Sequence, residues 1–137
     1  MSNDQPIKRQ RFWPNGQVKE EWCEINGRKE GWRRIYLESG FMFSEMEFRD
    51  GVGNGVIREW RADGSKRLEG TIKDGEFHGR FSLWWPNGLL MEGGVYSNGK
   101  HTKGYRYYTD TGEMWKEVAH DEGEENQPPP FSSTEIP

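Results

Sequence analysis

The sequence predicts an all-β protein, an elongated single-layer antiparallel meander of about five β-hairpin repeats. Two columns of glycine and one column of aromatic residues carry this prediction, because each recurs every 24 residues. The first glycine column is Gly16, Gly40, Gly64, Gly88 and Gly112, the second is Gly27, Gly51, Gly75, Gly99 and Gly123, and the aromatic column is Phe12, Tyr36, Trp60, Trp84 and Tyr108. Columns that stay in step along the whole chain indicate one structural unit used repeatedly.

The glycines mark the turns of each predicted hairpin. Asn-Gly and Asp-Gly pairs such as Asn15-Gly16 and Asp50-Gly51 favour hairpins, because both residues tolerate the positive φ of a type I′ turn. A third glycine column, at Gly31, Gly55 and Gly79, predicts a longer second connection. Each period is therefore predicted to be a strand, a tight turn, a strand and a looser turn. Strands of about seven residues without crossover helices form an antiparallel meander.

The register follows if the first turn of each period is a two-residue loop. The residue six positions before each first-column glycine then lies opposite the residue five positions after it. The predicted pairs are Arg34 with Glu45, Arg58 with Glu69, Arg106 with Glu117, and Ser82 with Gly93. The same register places the aromatic column opposite Lys19, Phe43, Arg67, Met91 and Trp115. We interpret this aromatic ladder as the core of the fold.

Composition and charge narrow the function classes. The 137-residue chain has a formal net charge of −4, and its 19 basic and 23 acidic residues are interspersed. This distribution predicts neither a nucleic-acid partner nor a membrane surface. The single cysteine, Cys23, excludes an internal disulfide. We expect a cytoplasmic protein, because no apolar run reaches bilayer length and no N-terminal signal is recognisable.

The sequence offers little to support catalysis. The three histidines are scattered among different periods, without the spacing of a metal site. Segment 51–55 sits on two turn columns, at Gly51 and Gly55, and leads into a strand, whereas a phosphate loop leads into a helix. Four of the glutamates occupy one repeated column, namely Glu21, Glu45, Glu69 and Glu117. We predict that the protein is not an enzyme and uses neither a metal nor a cofactor.

The chain divides into three predicted segments. Residues 1–10 form an N-terminal arm, residues 11–123 form the repeat domain, and residues 124–137 form a flexible acidic and proline-rich tail.

The second face of the sheet is the predicted binding surface. A single-layer sheet cannot bury both faces by itself, and exposed apolar patches mark interaction sites. We predict that a partner protein contacts Trp13, Leu37, Leu83, Trp85, Leu90 and Met114. The alternative is that the sheet coils enough to bury one of its faces.

Two segments carry a resemblance to a known family. Trp60-Arg61-Ala62-Asp63-Gly64 with Asp74-Gly75-Glu76-Phe77-His78-Gly79, and Trp84-Trp85-Pro86-Asn87-Gly88, resemble the MORN-repeat variant of bacterial antitoxin-like proteins. The resemblance implies an antitoxin or immunity protein that neutralises a cognate toxin by direct binding. A general scaffold or assembly module, self-associating through its edge strands, is the alternative. A lipid-associated MORN protein is less favoured, because the 24-residue spacing and the acidic charge depart from that pattern.

Overall fold

A computed structural model describes residues 5–121, and every regular element in this range is a β-strand. The strands are β1 (Ile7–Phe12), β2 (Val18–Ile25), β3 (Arg28–Lys29), β4 (Gly31–Tyr36), β5 (Met42–Arg49), β6 (Val52–Trp60), β7 (Lys66–Lys73), β8 (Glu76–Trp84), β9 (Leu90–Ser97), β10 (Lys100–His101), β11 (Arg106–Tyr108) and β12 (Met114–Glu117). Strand β1 begins at Ile7, so four residues of the predicted arm belong to the sheet. The predicted tail lies outside the described residues.

Ten of the strands form one open antiparallel sheet in the order of the chain. The path runs β1-β2-β4-β5-β6-β7-β8-β9-β11-β12, and the two-residue strands β3 and β10 pair with β2 and β9. The predicted all-β antiparallel meander is confirmed.

The tight and the looser turns are the reverse of the prediction. Asn26, Asp50, Asp74 and Asn98 have φ angles of 49–52°, and the glycine after each has a φ of 78–86°. Two consecutive residues of positive φ define the two-residue type I′ turn, so the second turn of each of the first four periods is the tight one, and Gly123 lies outside the described residues. The first turn is a three-residue loop, as between Trp85 and Leu89, whose backbone groups pair at 2.8 Å.

Asparagine has a different role in these longer loops. The Oδ1 atom of Asn87 accepts the backbone N–H of Leu89 at 2.9 Å, while the φ of 89° falls on Gly88 alone. Asn15 and Asp63 accept an N–H two residues ahead in the same way. An Asx turn and a type I′ turn therefore select the same dipeptide, which is why sequence did not separate them.

The predicted register is correct for the charged pairs and wrong by one residue for the aromatic column. Arg34 lies opposite Glu45, Arg58 opposite Glu69, Arg106 opposite Glu117 and Ser82 opposite Gly93. A bulge next to each aromatic residue shifts its partner to Val18, Met42, Lys66, Leu90 or Met114. Because strand side chains alternate between faces, the bulge sends Met91 and its equivalents to the opposite face.

The core lies on the face opposite the aromatic column. We call these the core face and the ladder face. The buried cluster comprises Leu68, Phe81, Leu83, Met91, Tyr105, Tyr107 and Val118, with Trp85 and three other half-buried side chains packed against it. On the ladder face, Phe12 is 56% exposed and the other four rings are half-buried. The interpretation of the aromatic ladder as the core is therefore wrong.

Charged pairs cross the ladder face from strand to strand. Glu45, which is buried, accepts hydrogen bonds from Arg34 at 3.1 Å and from Arg58 at 3.0 Å. Arg58 also donates to Glu69 at 2.7 Å, and this guanidinium lowers the pKa of the Glu69 carboxyl below its usual value. The network joins strands β4 to β7.

We expect Arg58→Leu to lower the free energy of unfolding by about 1–2 kcal/mol, because it removes one of the two guanidinium partners of buried Glu45. Arg106→Leu is the matched control, since its pair with Glu117 is largely exposed and should contribute little. Urea denaturation of both variants at neutral pH measures the difference. Equal losses in the two variants would show that the network stabilises the sheet no more than an exposed ion pair does.

Candidate functional site

The six predicted binding residues lie on both faces of the sheet. Four of them are on the core face: Leu37 and Leu83 are buried, with 8% and 2% exposure, and Trp13 and Trp85 are half-buried. Leu90 pairs with Trp84, and Met114 pairs with Tyr108, so both belong to the ladder face. The bulges account for this division, because they exchange the faces of the residues beyond each first turn.

Two of the predicted binding residues tie neighbouring hairpins together. The indole N–H of Trp13 donates to the Tyr36 carbonyl at 3.0 Å, and that of Trp85 donates to the Tyr108 carbonyl at 3.2 Å. Arg61, which occupies the same column, donates to the Trp84 carbonyl through its guanidinium. Sequence reasoning missed this structural role, although the spacing of Trp13 and Trp85 by three periods could have indicated it.

The core face is filled in its C-terminal part and open in its N-terminal part. A cavity of about 210 Å³ opens beside Trp13, and we call it the Trp13 cavity. It is lined by Trp13, Lys19, Glu20, Arg33, Ile35, Tyr36, Leu37 and Phe43. Two of the predicted binding residues, Trp13 and Leu37, therefore meet at one recess.

Charged side chains surround this recess. Arg33 donates to Glu20 at 2.6 Å, and Arg11 lies 3.7 Å from the other oxygen of the same carboxylate. The exposed Lys19 ammonium lies 4.7 Å from the centre of the Trp13 ring. Within residues 5–121, no carboxylate oxygen lies within 4 Å of that ammonium. The rim carries two cations, Lys19 and Arg33, and one carboxylate, Glu20. It therefore has an excess of positive charge.

The equivalent position three periods later is closed. Met91 takes the place of Lys19, and Tyr105 takes the place of Arg33. Both side chains are buried, with 4% and 0% exposure, and the Tyr105 hydroxyl donates to Glu92 at 2.7 Å. These residues are therefore buried at the C-terminal end, whereas their counterparts at the N-terminal end line an open recess.

Several ionisable groups are buried around Tyr105. Burial raises the pKa of the Glu92 carboxyl and lowers that of the His101 imidazole. It also raises the pKa of Tyr96 to about 12, and the Tyr96 hydroxyl lies 2.9 Å from His101 Nε2. Glu92 Oε2 has no hydrogen-bond partner among the described residues. Because Glu92 and Tyr105 have almost no exposed surface, we assign this cluster to the core.

No group of three potential metal ligands occurs among the histidines, cysteines and carboxylates of residues 5–121. The described part of the chain also contains no helix long and apolar enough to cross a bilayer. Comparison of the sequence with protein-family models and with curated proteins finds no match.

Proposed function

We propose that the chain is a MORN-like array of about five 24-residue hairpin repeats that binds another protein in the cytoplasm and has no catalytic activity. The observation that carries the proposal is the Trp13 cavity, an apolar recess in the part of the core face that the protein's own side chains leave open. Apolar recesses with charged rims are typical of the sites where binding energy concentrates in protein interfaces.

The charges of the sheet favour a protein over an anionic polymer. Eleven ion pairs are formed within the described residues, and most of their cations lie beside a glutamate of a neighbouring strand. Cations engaged in this way are not arranged to neutralise successive phosphates. The resemblance to antitoxin-like MORN variants then makes a toxin the proposed partner, neutralised because the sheet covers its functional surface.

The register of the sheet argues against self-assembly through the edge strands. Inside the chain, the second strand of each hairpin pairs with the first strand of the next, as Glu20 pairs with Ile35 and Leu68 with Leu83. If β12 of one copy paired with β1 of a second copy in this register, Lys116 would lie opposite Arg11. Like charges directly opposite one another destabilise strand pairing. A scaffold built by head-to-tail addition is therefore the weaker proposal.

A photo-crosslinking experiment tests the proposal. The crosslinker p-benzoylphenylalanine replaces Phe43, which lines the cavity, and Val95, a 45% exposed residue on the ladder face, provides the control position. We expect position 43 to capture one protein in the native host that position 95 does not capture. The purified partner should then bind the chain one to one, and Phe43→Ser should weaken this binding at least tenfold while Val95→Ser leaves it unchanged.

The identity of the captured partner decides between an antitoxin or immunity protein and a general binding module. Expression of the partner alone should stop growth of a heterologous host, and co-expression of this chain should restore growth, if the protein is an antitoxin or immunity protein. A partner that is harmless alone would favour the general binding module. Equal capture at both positions, or a reconstituted complex insensitive to Phe43→Ser, would contradict binding at the core face.

A further inference from the structure

The charged column of the ladder face lacks both of its members in the fourth hairpin, formed by β8 and β9. The second, third and fifth hairpins have an arginine on the first strand opposite a glutamate on the second, namely Arg34–Glu45, Arg58–Glu69 and Arg106–Glu117. In the fourth hairpin Ser82 lies opposite Gly93. We call this place the Gly93 gap.

Arg58 shows how a complete column is connected. Its Nε atom donates to Glu69 of its own hairpin at 2.7 Å, and its Nη1 atom donates at 3.0 Å to Glu45, which lies opposite Arg58 on the neighbouring strand β5. One guanidinium therefore holds two carboxylates, one on each side.

Arg106, two periods later, holds only the first of these two carboxylates. Its Nε atom donates to Glu117 at 2.6 Å, as that of Arg58 does to its own hairpin. The residue opposite Arg106 on the neighbouring strand β9 is Gly93. No second carboxylate oxygen of residues 5–121 lies within 4 Å of the Arg106 guanidinium. Its second side is therefore available to an acceptor from outside the described residues.

A tyrosine supplies a second donor at the gap. In the N-terminal part of the sheet, the Tyr36 hydroxyl donates to Glu21 at 2.7 Å. Tyr108 and Gly93 occupy the equivalent positions three periods later, and the Tyr108 hydroxyl lies beside the Arg106 guanidinium. A carboxylate at the gap would thus meet a hydroxyl and a guanidinium that already point to this column.

From these equivalences we propose that the Gly93 gap binds the carboxylate of an aspartate or glutamate in a peptide segment of another protein. Arg106 and Tyr108 would donate to this carboxylate, as their counterparts do to the chain's own glutamates. The site lies on the ladder face, so the inference goes beyond the binding proposed for the core face and does not depend on it.

The charge and exposure of the gap suit an anionic group. The Arg106 side chain is 53% exposed, and Arg80, an exposed residue of β8, lies two positions before Ser82 on the same face. Among residues 5–121, no carboxylate oxygen lies within 4 Å of the Arg80 guanidinium. Two cations therefore stand against Glu117, and this excess of positive charge favours an acidic partner.

An adjoining recess indicates that the carboxylate belongs to a peptide. Ser82 also borders a recess of about 250 Å³, whose walls include Val56, Thr71 and Arg80. An aliphatic neighbour of the bound acidic residue would fill this recess. Burial of its apolar surface adds the binding energy that one exposed ion pair lacks. A small free acid would gain only the ion pair.

Short peptides test the inference on the full chain. Acetyl-Leu-Glu-Leu-amide is compared with acetyl-Leu-Gln-Leu-amide and with acetate, and binding is followed by the NMR signals of the Arg106 Nε–H and the Ser82 backbone amide. We expect the glutamate peptide to shift both signals and to bind at least about fivefold more tightly than either control, because charge-assisted hydrogen bonds are the stronger ones. Equal binding of the glutamine peptide or of acetate, or unshifted signals at the highest peptide concentration, would overturn the proposal.

A variant that fills the gap provides the matched control. Gly93→Glu restores the column, so its own carboxylate should occupy the site and abolish peptide binding. The nearest atom to an added Cβ is the Phe81 carbonyl oxygen at 3.3 Å, and a melting curve shows whether the variant folds. Wild-type affinity of the folded variant for the glutamate peptide would contradict the proposal.

Two arginine variants locate the contact independently of that substitution. Arg106→Gln should remove the preference for the glutamate peptide. Arg9→Gln is its control, since Arg9 is 52% exposed and bonded to Glu24 at 3.3 Å, and it should keep the preference. Phe43→Ser alters the core face and should also leave peptide binding unchanged. A preference that survives Arg106→Gln, or one lost in Phe43→Ser while the protein stays folded, would place the peptide elsewhere and overturn the site.

Discussion

Replacement of Leu83 by alanine should lower the free energy of unfolding by about 3–4 kcal/mol. Leu83 is 2% exposed and belongs to the buried cluster with Phe81, Met91 and Tyr107. Truncation removes three carbon atoms and leaves a buried cavity on β8, a strand that is paired with β7 and β9. Urea denaturation followed by circular dichroism measures the loss.

Ile35→Ala is the matched control for this prediction. Ile35 occupies the equivalent position two periods earlier, but it is half-buried and lines the Trp13 cavity. Truncation there enlarges a recess that is already open, so we expect a loss of about 1–2 kcal/mol. Equal losses for the two variants would show that the core is not concentrated in the C-terminal part of the sheet.

The sequence predicted the strand path because its strongest signals are local. Gly27 and Gly51, each preceded by Asn or Asp, adopt the positive φ angles that the sequence indicated, and this fixes where the chain reverses. The Arg58–Glu69 pair was found from the same spacing, because a hairpin fixes the cross-strand partners of its own strands.

The assignment of faces could not be made in the same way. The face assignment depends on one bulged residue after the first turn of each hairpin. Met91 is such a residue, because its neighbours Leu90 and Glu92 pair with Trp84 and Leu83 and leave it without a partner in the register. A bulge of one residue reverses the face of a side chain without changing the hydrophobic pattern on either side. Leu90 and Met114 therefore joined the aromatic column, whereas Leu83 and Leu37, which precede the bulges, stay on the opposite face, which is the core face.

The Trp13 cavity was only partly predictable. Trp13 and Leu37 were identified as binding residues from their apolar character, and both line the cavity. Lys19 and Arg33 line the cavity, whereas Met91 and Tyr105 at the equivalent positions are buried in the C-terminal part of the sheet. The equivalence of these positions is visible in the sequence, but which of them point into the core face is not.

The stability of the protein should depend on the ionisation of Glu92. This carboxyl group is 4% exposed, its Oε2 atom has no partner among the described residues, and burial raises its pKa in the folded state. The folded protein therefore binds this proton more tightly than the unfolded chain does. The resulting stabilisation is fully present below the unfolded pKa and is lost as the pH rises through the folded pKa.

Glu92→Gln should consequently stabilise the protein at pH 8, by about 1–3 kcal/mol relative to the parent, because it replaces a buried charge by a neutral group of the same shape. The amide oxygen still accepts the hydrogen bond from Tyr105. Near pH 4 the advantage should disappear, since Glu92 is then protonated in both states of the parent protein. Other carboxyl groups, such as Glu69 with its lowered pKa, titrate equally in both proteins and cancel from the difference. Chemical denaturation of the two proteins across this pH range gives the comparison.

Glu20→Gln is the matched control, because Glu20 is the equivalent residue but accepts a hydrogen bond from Arg33 at 2.6 Å. The same substitution there should destabilise the protein at pH 8. A stability difference between Glu92→Gln and the parent that stays constant from pH 4 to pH 8 would show that folding does not raise the pKa of Glu92.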